Sequence, residues 1–193
     1  MAAQIGYYDI LKSVAGKVFT FLSTITLTGV DGKTLTVNDS CSVGGAAVNA
    51  TLPAFLAYAS ASKDTVTGDG TAYTVLFDTE VFDQANNYDP ATGIFTAPVT
   101  GRYQFSMSAL LNHIAAENTY LEIDFVTSNR TYYFNDYLCL AKDRQLQLSV
   151  LADLDANDTA KVNVIVGGAT KIVDVYGAVN GTTFFSGHLV CGV

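Results

Sequence analysis

The sequence predicts an all-β protein, an antiparallel sandwich preceded by a short β-rich anchoring segment. Three observations carry this. Runs in which every second residue is apolar recur along the chain, and turn residues interrupt them about every 8–12 residues. No long helical period lies between them. Of the 193 residues 49% are apolar and only 15% charged, which is ample material for a buried core. The boundary is placed between an anchoring segment, 1–52, and a body, 53–193.

In the segment, Tyr7, Leu11 and Val14 recur at helical spacing with Ile10 beside them, so residues 5–16 predict a short helix ended by Gly16. Lys17 to Leu27, KVFTFLSTITL, is β-branched and aromatic, and Thr34 to Val37 returns after the turn dipeptide Asp31-Gly32. A lone two-stranded ribbon is barely stable in water, so this one pairs with the body, with other copies or with a partner. Asn38 to Ala50 is small and polar and reads as a linker.

The body opens with Phe55, Ala57 and Ala59 in alternation. Lys63 to Thr71 reads as a Gly/Asp/Thr loop, and Tyr73 to Phe82 as one or two short strands. Tyr103, Phe105, Met107, Ala109 and Leu111 define one face of a long strand. Leu121, Ile123 and Phe125 define the next, and Thr131 to Leu140 is tyrosine-rich. Further alternations run through Leu146, Leu148 and Val150, then Val162, Val164 and Val166, before Val175-Tyr176-Gly177 and the closing TFFSGHLV.

One stretch, Phe82 to Phe105 (FDQANNYDPATGIFTAPVTGRYQF), concentrates turn and strand chemistry. Asn86-Asn87 suits a left-handed turn. Asp89-Pro90 begins a second turn that Thr92-Gly93 ends, Ile94 to Thr96 is a short strand, and Ala97-Pro98 breaks it. Phe82, Asn87, Tyr88, Asp89, Pro90, Gly93, Phe95, Pro98, Gly101, Tyr103 and Phe105 together resemble the signature of the complement C1q globular-head family, within the C1q and tumour necrosis factor superfamily. The likeness runs more weakly from about Pro53 to the C-terminus. It implies a jelly roll that assembles as a homotrimer, with the last strand in the middle of the inner sheet near the threefold axis. Phe184, Phe185 and His188 are then candidates for the trimer interface.

No cofactor is expected. Calcium enters only because some members of the family bind it, and the resemblance identifies no ligands here. The acidic run Asp153 to Asp158 fails the EF-hand rule, with Asp158 where Gly and Val164 where Glu is required, and reads as a β-turn. His113 and His188 are far apart, without metal-ligand spacing, and read as structural. Cys41, Cys139 and Cys191 form neither a disulfide framework nor a paired metal motif. No nucleophile elbow, phosphate loop or HExxH motif occurs, so no enzyme is expected. Tyr132, Tyr133 and Tyr137 read either as cross-strand packing or as a contact surface.

Formal net charge is −8. In residues 1–52, Lys12, Lys17 and Lys33 balance Asp9, Asp31 and Asp39, so all of it falls on the body. Such a body is a poor ligand for nucleic acid or anionic membrane, and the neutral segment suits docking on a protein. The opening MAAQIGYYDILKSV lacks a basic n-region and a continuous apolar h-region, which predicts cytosolic synthesis. Five N-x-S/T sequons, at Asn38, Asn49, Asn129, Asn157 and Asn180, then read as chance. The phrase LTGVDGKTLTV resembles repeats common in bacteriophage tail and head-appendage proteins. The expected setting is therefore the virion surface after synthesis in the host cytoplasm. Residues 1–52 would dock on a capsid or other virion protein and carry a trimeric decoration or head-spike. The alternatives are a tail-fibre receptor-binding tip gripping a host glycan or protein, and a secreted signalling or lectin protein.

Overall fold

The computed structural model describes residues 25–28, 34–37, 52–137 and 142–192. The chain divides into two units, Met1–Asn49 and Ala50–Val193. In the first, β1 (Ile25–Thr28) and β2 (Thr34–Val37) pair antiparallel with Leu27 opposite Leu35. The helix expected over 5–16, the Asp31-Gly32 turn and the linker lie outside the described residues.

The second unit contains strands only, among the described residues. They are β3 (Ala54–Tyr58), β4 (Lys63–Thr67), β5 (Tyr73–Thr74), β6 (Thr79–Asp83), β7 (Tyr88–Asp89), β8 (Ile94–Thr96), β9 (Gly101–Asn112), β10 (Tyr120–Thr127), β11 (Thr131–Asp136), β12 (Arg144–Leu154), β13 (Thr159–Gly167), β14 (Val173–Tyr176) and β15 (Phe184–Gly192). One sheet runs β4-β14-β9-β15-β3-β6, and β12 pairs along nearly the whole of β9. The other runs β11-β10-β13-β8-β7, with β5 paired to β13. All these pairings are antiparallel.

Alternation sets the core. Tyr103, Phe105, Met107, Ala109 and Leu111 of β9 are buried, as are Leu121, Ile123 and Phe125 of β10 and Val162, Val164 and Val166 of β13. Phe185 is the hub: its ring lies 4.9 Å from Phe55, 5.6 Å from Phe77, 5.8 Å from Phe105 and 6.1 Å from Phe125. Phe105 and Phe125, 4.7 Å apart, join the two sheets. Offset and edge-on ring packing of this kind adds about 0.5–1.5 kcal/mol per pair beyond burial.

The expectation of a loop over Lys63 to Thr71 is corrected in its first half, where residues 63–67 form β4. KDTVT lacks an alternating apolar pattern because β4 pairs only β14 and leaves its first three side chains exposed. Its partner's backbone, not its own side chains, makes it a strand.

Candidate functional site

The turn-rich stretch builds a corner of the sandwich. Asn86 takes the left-handed conformation at φ 51° and Gly93 at φ 73°. The Asp89 carboxylate accepts the Ala91 N–H at 2.9 Å and the Thr92 hydroxyl at 2.8 Å. Those bonds, the Thr92 hydroxyl's foremost, hold its pKa below the ordinary value. Gly93 permits close approach as well, since a Cβ there would stand 2.7 Å from the Val75 carbonyl oxygen. Gly101 opens β9, and its bare Cα lets the Cys191 carbonyl approach where a Cβ would stand 2.6 Å away. Tyr88 is buried, and its hydroxyl donates to the Phe77 carbonyl at 3.1 Å. Phe95 packs against Tyr103 and Phe105. Phe82 differs from them: it is 46% exposed, opposite Leu56 on the face turned away from the core.

That outward face, across β6, β3, β15, β9 and β12, is the candidate site. Side chains on a strand point alternately to opposite faces. Phe184, Ser186 and His188 therefore share the outer face of β15, while Phe185, fully buried, turns into the core. Phe185 is corrected from interface candidate to core residue for this reason. His188 is exposed, opposite Gln104 and Ala54.

Two chemistries meet on this face. Leu56, Tyr58, Val81, Val179, Asn180, Gly181 and Phe184 line an open groove of about 440 Å³. Val81 and Val179 are 59% and 83% exposed. Beside it lies a hydroxyl and amide stripe. The Gln104 side-chain amide donates to Ser149 Oγ at 2.9 Å, Ser149 Oγ lies 3.2 Å from Ser106 Oγ, and the Gln145 amide donates to Ser108 Oγ at 2.9 Å. The stripe carries no charge of its own.

Elsewhere in the same sheet, His113 Nδ1 just after β9 meets Asp174 Oδ2 of β14 at 2.7 Å. The run Asp153 to Asp158 forms the β12–β13 turn, with Asn157 left-handed at φ 75° and Asn129 donating to Asp158 at 2.9 Å. Among the described residues no three His, Cys, Asp or Glu side chains converge as a metal cage. Tyr132 packs on Phe125, whereas Tyr133 and Tyr137 are 64% and 72% exposed. Among the described residues no helix is long and apolar enough to cross a membrane.

A comparison with curated protein sequences returns no match. Among solved structures, the globular domain of zebrafish complement 1qA is similar at 17% identity and TM-score 0.53, covering 73% of this chain and 99% of that one. Murine APRIL at pH 8.0 is similar at 12% identity and TM-score 0.51, covering 72% of this chain and 99% of that one. The fold is thus the C1q and tumour necrosis factor-like jelly roll. The C1q domain profile matches residues 54–190, and the chain belongs to the C1q domain family.

Proposed function

We propose that the body is a non-enzymatic trimeric head, that its copies meet through the outer face of β3, β15 and β9, and that residues 1–52 attach it to a virion. The observation that carries assembly is the groove around Leu56, Tyr58, Val81, Val179 and Phe184. A contiguous apolar surface flanked by a neutral polar stripe is a surface suited to burial against protein. A second copy is the occupant because the family is one of trimers and the stripe carries no charge of its own to oppose the neighbouring copy. Charge supports the division of labour: the neutral segment docks, and the acidic body stays soluble.

Sedimentation of the purified chain should give about three times its 20.5 kDa mass. Val81→Asp together with Phe184→Asp should leave a folded monomer, because neither side chain belongs to the core. A monomeric wild type would sink the assembly reading. A chain lacking residues 1–52 should stay trimeric yet fail to bind bacteriophage particles. Retained particle binding would transfer attachment to the head. Binding of the isolated trimer to host cells would favour the receptor-binding tip, and secretion with glycans on Asn129 or Asn180 would favour the extracellular reading.

A further inference from the structure

We infer that Asn180 is a self-modifying site: its side-chain amide is displaced by the Gly181 main-chain nitrogen, which leaves a carboxylate on the rim of the outer groove. The chemistry belongs to a single loop and stands apart from the assembly reading. Its consequence for the groove rests on that reading.

Asn180-Gly181 is the one Asn-Gly pair in the chain. It lies in the connection between β14 and β15, with Asn180 exposed, and both residues line the groove beside Val179 and Phe184. An asparagine converts when the next residue's nitrogen reaches its Cγ, and a side chain on that next residue obstructs the approach. Gly181 has none, and a Cβ built there would meet no atom within 4 Å, so the approach is open.

The loop also readies the amide. Asn180 Oδ1 accepts the Thr182 hydroxyl at 2.8 Å and the Thr182 N–H at 3.2 Å. Both donors reach the oxygen on which negative charge develops as the nitrogen attacks, the arrangement of a small oxyanion hole. They also hold the side chain against the backbone that follows it, which makes ring closure a positioned intramolecular step. One bond opposes the reaction: the Gly181 N–H donates to the Ala178 carbonyl at 3.1 Å and must let go first. It closes a turn whose central residues, Val179 and Asn180, are exposed, and such turns open locally at little cost.

The step balances with water as the only co-reactant. The Gly181 nitrogen gives its proton to solvent and bonds to Asn180 Cγ. The Cγ–Nδ2 bond breaks, and Nδ2 takes a proton from solvent and departs as ammonia. Water then opens the cyclic imide at either carbonyl, giving aspartate or isoaspartate. Either product sets a negative charge among Leu56, Val81, Val179 and Phe184 of the groove. An unpaired charge is costly to bury, so a converted copy no longer seats a second one.

Peptide mapping of the full chain during incubation at neutral pH tests the site. Aspartate and isoaspartate should accumulate at position 180, while Asn129 and Asn157, each followed by a charged side chain, stay asparagine. Thr182→Val keeps the shape and removes the hydroxyl. It should slow conversion about two- to tenfold, the factor that one hydrogen bond is worth. An Asn180 that persists as long as Asn129, or an unchanged rate in Thr182→Val, would overturn the site. Sedimentation of Asn180→Asp reads the consequence separately, and the trimer's dissociation constant should rise about tenfold or more. A trimer indifferent to Asn180→Asp would overturn the role of the charge. A wild type that is monomeric throughout would remove the assembly reading and that role together, and the mapping result would still decide the chemistry.

Discussion

At Gly187 an added Cβ would stand 2.5 Å from Phe105 Cδ1 and 2.8 Å from Phe55 Cε1, both in buried rings that cannot step aside. Overpacking of this kind costs about 1–3 kcal/mol, so Gly187→Ala should lower the denaturant midpoint without changing the slope. Its neighbour Phe185 is the hub, and Phe185→Ala should cost about 3–5 kcal/mol, far more than the same change at Phe184. Asp124 carries a pH signature. Its carboxyl, ordinarily at 3.8, is held up at about 7 by burial and then by the Glu122 carboxyl, so the fold gains most where the group is protonated in both states, below about pH 4. That contribution is lost as pH rises through about 7. The melting temperature should therefore fall between about pH 4 and 7 and level off above, and Asp124→Asn should flatten the decline; a flat wild-type profile would refute the assignment. Sequence reasoning passed over this residue. Asp124 reads there as an ordinary outward position on an alternating strand, yet between Tyr133 of β11 and Asn163 of β13 it is buried.

At the scale of elements, Asp174 of β14 ties together two strained backbone positions, one inside β4 and one just after β9. Its Oδ1 accepts the Thr65 N–H at 2.7 Å, and its Oδ2 takes His113 Nδ1 at 2.7 Å. Thr65 sits at φ 54° and His113 at φ 61°, a conformation that costs about 1–3 kcal/mol for non-glycine residues and is held only where the surroundings insist. β4 pairs as a strand only with β14. Thr67 at its far end also accepts the Val166 N–H of β13 at 2.9 Å, so this carboxylate chiefly supports the stretch around Thr65. Asp174→Ala should destabilise the protein by about 1–3 kcal/mol and speed amide exchange at Thr65, while the β9–β12 ladder keeps its protection. Uniform loss of protection across both regions would mean the clamp is global rather than local. Strand β4 was also the element least legible in the sequence. Its residues lack an apolar period, and its state is settled by a partner more than a hundred positions downstream. Strand β8, Ile94 to Thr96, was legible because Gly93 and Pro98 bracket it with local turn chemistry.

For the whole molecule, the buried aromatic cluster of the described residues lies in the second unit. A chain lacking residues 1–52 should therefore melt at the same temperature as the full chain, as calorimetry can check. The body also carries the full −8, so bringing copies together opposes like charges. Raising the salt should tighten the proposed trimer by screening that repulsion, and a dissociation constant that rises with salt would point to ion pairs across the interface instead.

The sequence by itself determined the all-β class, the inward faces of β9, β10 and β13, and the turns at Asn86 and Gly93, and its signature identified the family. These follow from local rules: period-two alternation and the few residues that accept a left-handed backbone. It left open which of Phe184 and Phe185 faces the core, because alternation separates neighbours without saying which side is inside. Only the tertiary structure decided that, by seating Phe185 among Phe55, Phe105 and Phe125 and leaving Gly187 the room those rings need. The same holds for the outer groove and for the burial of Asp124 between β11 and β13. Both depend on which strands become neighbours and in what register, a long-range choice made by the packing of the core.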